Sequence, residues 1–179
     1  MPAPPSILAL LERYEVHRSA YLRDEANYNE AKVRRDYIEP LFRARNWDID
    51  NNKGFSEAYR EVMLEEPFRI RDRTQFFDYT FRIGGLRKFI VEAKKPAVSI
   101  KDNADAALQI RWYAWNAKLS LSILTNFEEF AVYDCTRKPK TTDRATDAQI
   151  EYFTYKDIPA KWDWIVSVFS QDAILKGSF

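Results

Sequence analysis

The spacing of apolar residues along this chain switches between a helical and a strand period, and each switch marks an element. Over residues 6–24, Ile7, Leu10, Leu11, Tyr14 and Tyr21 recur at helical spacing, with Ser6 as N-cap after the prolines. A second helix is predicted over 27–45. There Tyr28, Ala31, Val33, Tyr37, Ile38, Leu41 and Phe42 fill one broad arc at about 100° per residue, with Lys32, Arg35, Asp36, Glu39 and Arg43 opposite. Pro40, inside the pattern, predicts a kink. Glu30 falls within the apolar arc, and an inward carboxylate needs a partner; Arg34, four residues on, is the ordinary one.

After a turn at 50–54 and a weaker stretch, the period drops to two. Residues 76–94 read as a β-hairpin of Phe, Tyr, Val and Ile around Gly84-Gly85, ended by Pro96. Residues 104–118 return to a helical pattern, 119–124 and 127–133 to strands, and 150–155 to a last strand, with a polar loop over 138–147. A closing helix over about 157–175 presents Trp162, Ile165, Val166 and Phe169 on one face. The order helix, three strands, helix, strand describes an α/β sandwich, a mixed β-sheet flanked by helices. One domain over 1–179 is expected, with a helical front end over about 6–46 and an αβββαβ-type core over about 27–155, as a fragment of a longer chain.

Composition narrows the chemistry. With 179 residues, 46% hydrophobic and 15% aromatic, the chain can build a core. Its apolar runs are short and its start, Met-Pro-Ala-Pro-Pro, lacks a basic leader, so neither membrane insertion nor export is expected and the chain is placed in the cytoplasm. Cys135 and His17 are each alone of their type, which excludes an internal disulfide and a Cys/His zinc site. Any metal is expected on oxygen ligands, which favours Mg²⁺, Mn²⁺ or Ca²⁺. A net charge of +1 names no partner; a nucleic-acid role needs local basic patches or further domains. Arg69, Arg71, Arg73, Arg82, Arg87 and Lys88 flank the hairpin, where they suit DNA phosphates and, equally, charged strand edges that block aggregation.

The hairpin carries Asp78, Glu92 and Lys94 at its outer ends, unusual cargo for strands that bury one face. In an antiparallel pair opposed residues share a face, and one step of register separates them. A two-residue Gly84-Gly85 turn opposes Asp78 to Val91. A three-residue turn of Gly84, Gly85 and Leu86, or an equivalent bulge, opposes Asp78 to Glu92; Lys94 then shares their face while Lys95 points away. This odd register is the predicted one. Two carboxylates so placed repel by about 4 kcal/mol at ~4 Å and an effective dielectric of ~20, a penalty that a divalent cation removes. With Glu30 they make a three-carboxylate metal shell of Glu30, Asp78 and Glu92, beside which Lys94 orients an attacking water and stabilises charge on phosphorus oxygens. Plainer readings stand beside this one: Glu-x-Lys makes ordinary surface ion pairs, and Asp78 can cap a turn. Gln109 and Tyr113, at i and i+4, share one helix flank and suit either a phosphate or simple capping and packing. Trp112 and Trp115 are expected in the core, and His17 and Cys135 as structural residues.

Asp78, followed by Glu92-Ala93-Lys94 at the end of the next strand, resembles the PD-(D/E)XK nuclease signature, with Phe77 where that name has Pro. Gln109-Ile-Arg-Trp-Tyr113 is similar to the Gln-x-x-x-Tyr helix motif of several restriction and recombination nucleases in that superfamily. Together with Asn29-Glu30-Ala31, Phe89-Ile-Val-Glu-Ala-Lys-Lys-Pro96 and Leu124-Thr-Asn-Phe-Glu-Glu-Phe-Ala-Val-Tyr133, these segments resemble the N-terminal nuclease region of type IIG restriction enzymes. The resemblance implies a restriction-endonuclease-like core with an N-terminal helical extension. It implies Mg²⁺, or Mn²⁺ in its place, on Glu30, Asp78 and Glu92, a water assisted by Lys94, and Gln109 and Tyr113 lining the site. It also implies double-stranded DNA as substrate, with downstream methyltransferase and target-recognition domains. S-adenosylmethionine would belong to that downstream domain, whose Asn-Pro-Pro-Tyr motif this chain lacks.

The expected function is a Mg²⁺-dependent DNA endonuclease domain of a restriction-modification enzyme, a type II, IIG-like site-specific deoxyribonuclease. A double-strand cut needs two active sites, so a transient dimer on DNA is expected. The rivals are the N-terminal nuclease of a type I restriction motor subunit and a noncatalytic DNA- or partner-binding module with the same fold.

Overall fold

The computed structural model describes residues 1–179 with the exception of Ala26. One six-stranded sheet runs through it in the order β1-β2-β3-β4-β5-β6. The strands are β1 Val62–Ile70, β2 Arg73–Ile83, β3 Leu86–Ala93, β4 Leu121–Thr125, β5 Glu129–Asp134 and β6 Gln149–Thr154. All neighbours are antiparallel except β3 and β4, whose parallel pairing requires a crossover. The helices are α1 Pro5–Leu22, α2 Glu30–Val33, α3 Glu39–Arg43, α4 Ala104–Asn116, α5 Ile158–Phe169 and α6 Gln171–Leu175, and α4 makes the crossover. One sheet face packs under α1, α2, α3, α5 and α6, where Tyr14, Val33, Phe42 and Trp162 meet Phe81, Phe89, Val91 and Ile123. The other packs under α4, where Ala107, Ile110 and Ala114 meet Ile90, Leu124 and Ala131. None of the helices among the described residues is long and apolar enough to cross a membrane.

Local chemistry explains where elements begin and bend. Helix α1 starts one residue earlier than expected: Pro4, at φ −67°, precedes it, and no side chain caps it, so Ser6 lies inside the first turn rather than before it. Asn29 caps α2 by accepting from the Lys32 N–H at 3.1 Å. Between α2 and α3 the backbone widens into a π-turn over Arg34–Ile38. Pro40 has no N–H to offer the Asp36 carbonyl, and Arg13 donates to that carbonyl instead. The closing helix is two helices, because Ser170 is extended and its hydroxyl caps α6 at Ala173 N. Trp112 and Trp115 are half-buried surface residues rather than core fillers. The face of α4 against the sheet is taken by Ala106, Ala107, Ile110 and Ala114, and the Lys138 ammonium lies 5.7 and 5.4 Å from the two indoles.

The inside-outside alternation of β1 and β2 changes phase at one place. On β2, Tyr79 and Phe81 belong to the core under α1, whereas Phe77, only two residues before Tyr79, belongs to the core under α4. On β1, Val62 packs with the former, and Phe68 against the latter. Regular alternation would keep each set on one side. At the crossover point Glu65 adopts φ 50°, and pairing runs Leu64↔Tyr79 then Glu66↔Phe77, skipping Glu65 and Asp78. Asp78 therefore lies where the sheet is locally twisted open.

Candidate active site

The hairpin turn is a two-residue one, with Ile83 opposite Leu86 and Arg82 opposite Arg87. Taken alone it would put Asp78 and Glu92 on different faces. A bulge at Lys88 restores the phase: the pairing resumes as Phe81↔Phe89, Thr80↔Ile90 and Tyr79↔Val91, and one step further sets Asp78 against Glu92. Both Gly84 and Gly85 have positive φ, 58° and 79°, which a tight two-residue turn of this kind requires. The three-residue turn is thus replaced by the bulge, with the same result. Lys94 Nζ lies 3.4 Å from Glu92 Oε1, and Lys95 turns away to Asp24, at 2.5 Å.

Asp78 ends the β2–β3 ladder with its side chain. Its Oδ2 accepts from the Ala93 N–H at 2.8 Å, and the Lys94 N–H goes to Thr125 O on β4 at 2.9 Å. Oδ1 faces Arg34 Nη1 at 3.3 Å. Burial raises the Asp78 carboxyl above its ordinary range, against the pull of the Ala93 N–H, Arg34 and Lys94. Glu92 is affected more: burial first, then the Asp78 charge, push its carboxyl up to about 7, with Glu30 adding in the same direction and Lys94 opposing. The two acids face two cations, Arg34 and Lys94, and Arg34 is shared with Glu65.

Glu30 does not point inward. It opens α2 as an exposed residue, and Arg34 pairs with Asp78 and Glu65 instead. Glu30 reaches the site as a nearby charge on Glu92. Its place in the apolar arc misled because the helix starts at Glu30 itself and widens into the π-turn soon after, so a uniform 100° step does not hold. Gln109 Nε2 donates to Tyr113 Oη at 2.7 Å, and that hydroxyl donates to Gln75 Oε1 on β2 at 2.9 Å. This chain ties α4 to the strand that carries Asp78, three residues from Gln75. Arg82 and Arg87 are held by Glu66, whereas Arg69, Arg71 and Arg73 are exposed around the β1–β2 turn. Cys135 is buried against Ser122, and His17 lies exposed on α1.

The donor set suits a hard cation with its own waters. Among the described residues no group of three or more Asp, Glu, His or Cys side chains is gathered closely enough to hold an ion by themselves. Asp78 and Glu92 offer two carboxylates in a partly buried setting, which fits Mg²⁺ or Mn²⁺ and does not fit a closed protein cage. Sequence reasoning missed Arg34 as a partner of Asp78, and missed Glu65 and Gln75 altogether; only strand pairing reveals them.

Three comparisons with known proteins say what the chain resembles. Residues 57–141 match the family model described as type I restriction enzyme R protein N terminus, a span that contains Asp78, Glu92, Lys94, Gln109 and Tyr113. Over 172 residues the chain is 37% identical to the type II restriction enzyme and methyltransferase RM.Eco57I of Escherichia coli, covering 95% of this chain and 17% of that protein. The crystal structure of the type IIG restriction endonuclease BpuSI aligns with a TM-score of 0.46 and 16% identity, over 80% of this chain and 17% of that one. The chain therefore spans about a sixth of either relative's length, 17% in both cases. Residues 57–141 are thus similar to the type I restriction enzyme R protein N terminus, within a longer stretch similar to part of a type II restriction enzyme and methyltransferase.

Proposed function

We propose that the chain is the Mg²⁺-dependent DNA endonuclease domain of a restriction-modification enzyme, acting on double-stranded DNA in the cytoplasm. The observation that carries this reading is the convergence of Asp78, Glu92 and Lys94 at the open end of the β2–β3 ladder, with burial raising both carboxyls. In this reading Asp78 and Glu92 hold the cation, and Glu30 adds negative charge to the same field. When bound, Mg²⁺ supplies Lewis-acid charge stabilisation and lowers the pKa of a bound water. The Lys94 ammonium holds the attacking water in place and faces the negative charge that grows on the phosphoryl oxygens. The Ala93 N–H keeps Asp78 oriented as the phosphate arrives. Gln109 and Tyr113 line the approach from α4, and Arg69, Arg71 and Arg73 provide exposed positive charge for the DNA backbone.

The relative 37% identical over 95% of this chain is named as a joint restriction enzyme and methyltransferase, which supports the type II, IIG-like assignment over a type I motor subunit. Downstream methyltransferase and target-recognition domains, with S-adenosylmethionine in the former, are part of this proposal, as is transient pairing on DNA. Glu92→Ala and Lys94→Ala in the intact polypeptide are each expected to lower cleavage by about 10²–10⁴-fold. Unchanged cleavage in either variant overturns the assignment. A protein that takes up no Mn²⁺ by calorimetry yet binds DNA would be a noncatalytic module instead.

A further inference from the structure

Arg34 is the cation closest to Asp78, and its contacts are divided. Nη1 lies 3.3 Å from Asp78 Oδ1 and the same 3.3 Å from Glu65 Oε1. Nη2 is 3.3 Å from the Asp78 carbonyl oxygen, and Nε donates to Tyr79 Oη at 3.1 Å. The guanidinium also sits 4.7 Å from the Tyr79 ring centre, and that tyrosine donates to Glu39 at 2.9 Å. The base of Arg34 is thus fixed while its tip is shared. Committed guanidinium–carboxylate pairs in this protein are shorter: Arg18 reaches Glu128 at 2.7 Å and Arg87 reaches Glu66 at 2.9 Å.

The two carboxylates that share Arg34 differ. The side chain of Asp78 is 19% exposed and belongs to the proposed metal site, whereas that of Glu65 is 71% exposed and free to follow a moving partner. Glu65 also holds its left-handed backbone without being Gly or Asn, and sits directly across from Asp78 in the β1–β2 register. Because the Ala93 N–H occupies Oδ2, a cation approaching Asp78 contends with Arg34 for Oδ1.

We propose that Arg34 is a positioning residue: it holds Asp78 while no divalent ion is bound and is handed to Glu65 when one arrives, so that Glu65 tunes cation affinity through Arg34 without touching the ion. This rests on the reading of Asp78 and Glu92 as the metal site. Like-charge repulsion between the ion and the guanidinium drives the transfer, and Glu65 keeps Arg34 paired after it.

Mn²⁺ calorimetry on the intact polypeptide tests this with a double-mutant cycle of Glu65→Gln and Arg34→Gln. Glu65→Gln is expected to weaken Mn²⁺ uptake about three- to fivefold, the scale of one partly exposed ion pair. Arg34→Gln is expected to tighten it, and Glu65→Gln is then expected to have no effect in the Arg34→Gln background. Glu65→Asp, which keeps the charge, should recover part of the loss. Should Arg34→Gln fail to fold, Arg34→Lys replaces it, since an ammonium lacks the fork that spans two acids, and the Glu65 effect should shrink there too. Equal Glu65→Gln effects in both backgrounds, or none in either, overturn the proposal. Glu92→Gln separates this from failure of the underlying reading: it should abolish Mn²⁺ uptake. Uptake that ignores Glu92, or no uptake by the unmodified protein, sinks both.

Discussion

Two glutamates on strands either side of β2, buried Glu66 on β1 and half-buried Glu92 on β3, meet opposite electrical surroundings. Glu66 accepts from Arg82 and, at 3.0 and 2.9 Å, from Arg87. Burial works against its charge, yet the guanidinium bonds from Arg87 and Arg82 hold its carboxyl below the usual range. Glu92 pairs with Lys94 at 3.4 Å, and burial first, then the Asp78 charge, raise its carboxyl. Burial of a carboxylate is therefore not the mark of a site. What separates the two is the partner set: Glu66 faces two guanidiniums and no acid partner, whereas Glu92 faces one ammonium and a second carboxylate.

Substitution at each glutamate is the sharpest way to break this contrast. Glu92→Gln should cut DNA cleavage by about 10²–10⁴-fold while leaving the metal-free melting temperature equal or higher, because a repulsive charge has gone. Glu66→Gln should do the reverse, costing about 3–5 kcal/mol in urea unfolding, since Arg82 and Arg87 are left facing a neutral amide. If both variants lose stability alike, the two clusters are of one kind and the contrast fails. Next in size, Mg²⁺ at about a hundred times its dissociation constant should stabilise the unmodified protein by ~2.7 kcal/mol and should not stabilise Glu92→Gln. Calorimetric melting with and without the ion reads this directly.

Arg45 offers a third case, a buried cation with no acid at all. It is 2% exposed, lies over the Trp162 ring, and none of its three guanidinium nitrogens has a hydrogen-bond partner. Burial lowers it to about 9. Arg45→Met should raise stability by about 1–3 kcal/mol near neutral pH, measured by denaturant unfolding. The sign with pH follows from a folded-state value below the unfolded one. The folded protein binds fewer protons than the unfolded chain above this value, so the penalty of Arg45 is full at lower pH and eases as pH rises through about 9. The advantage of the variant should accordingly shrink between about pH 8 and 10; a constant gap would show that Arg45 is paired in solution.

Much of this was legible in the chain. Helical and strand periods located α1, α4, α5 and β2 to β6, because each buries one face against a continuous partner. Strand β1 lies in the weaker stretch, because at the sheet edge it carries Glu65, Glu66 and Pro67, and only its pairing with β2 makes it a strand. The convergence of Asp78 and Glu92 followed from register alone, whereas the device that produces it, a bulge at Lys88, has no sequence signal of its own. Glu30 was misread because periodicity assumes an even helix. The roles of Arg34 and Glu65 belong to tertiary neighbours 31 residues apart, beyond any local pattern.

The Lys88 bulge also constrains how this hairpin can change length. Deleting Lys88 would leave Arg82↔Arg87 followed at once by Phe81↔Phe89, so Asp78 would still face Glu92, whereas drawing Lys88 into the ladder opposite Phe81 would set Val91 against Asp78 and turn Glu92 and Lys94 to the other side. A shorter hairpin without this residue keeps both acids together, and a hairpin of the same length that loses the bulge parts them.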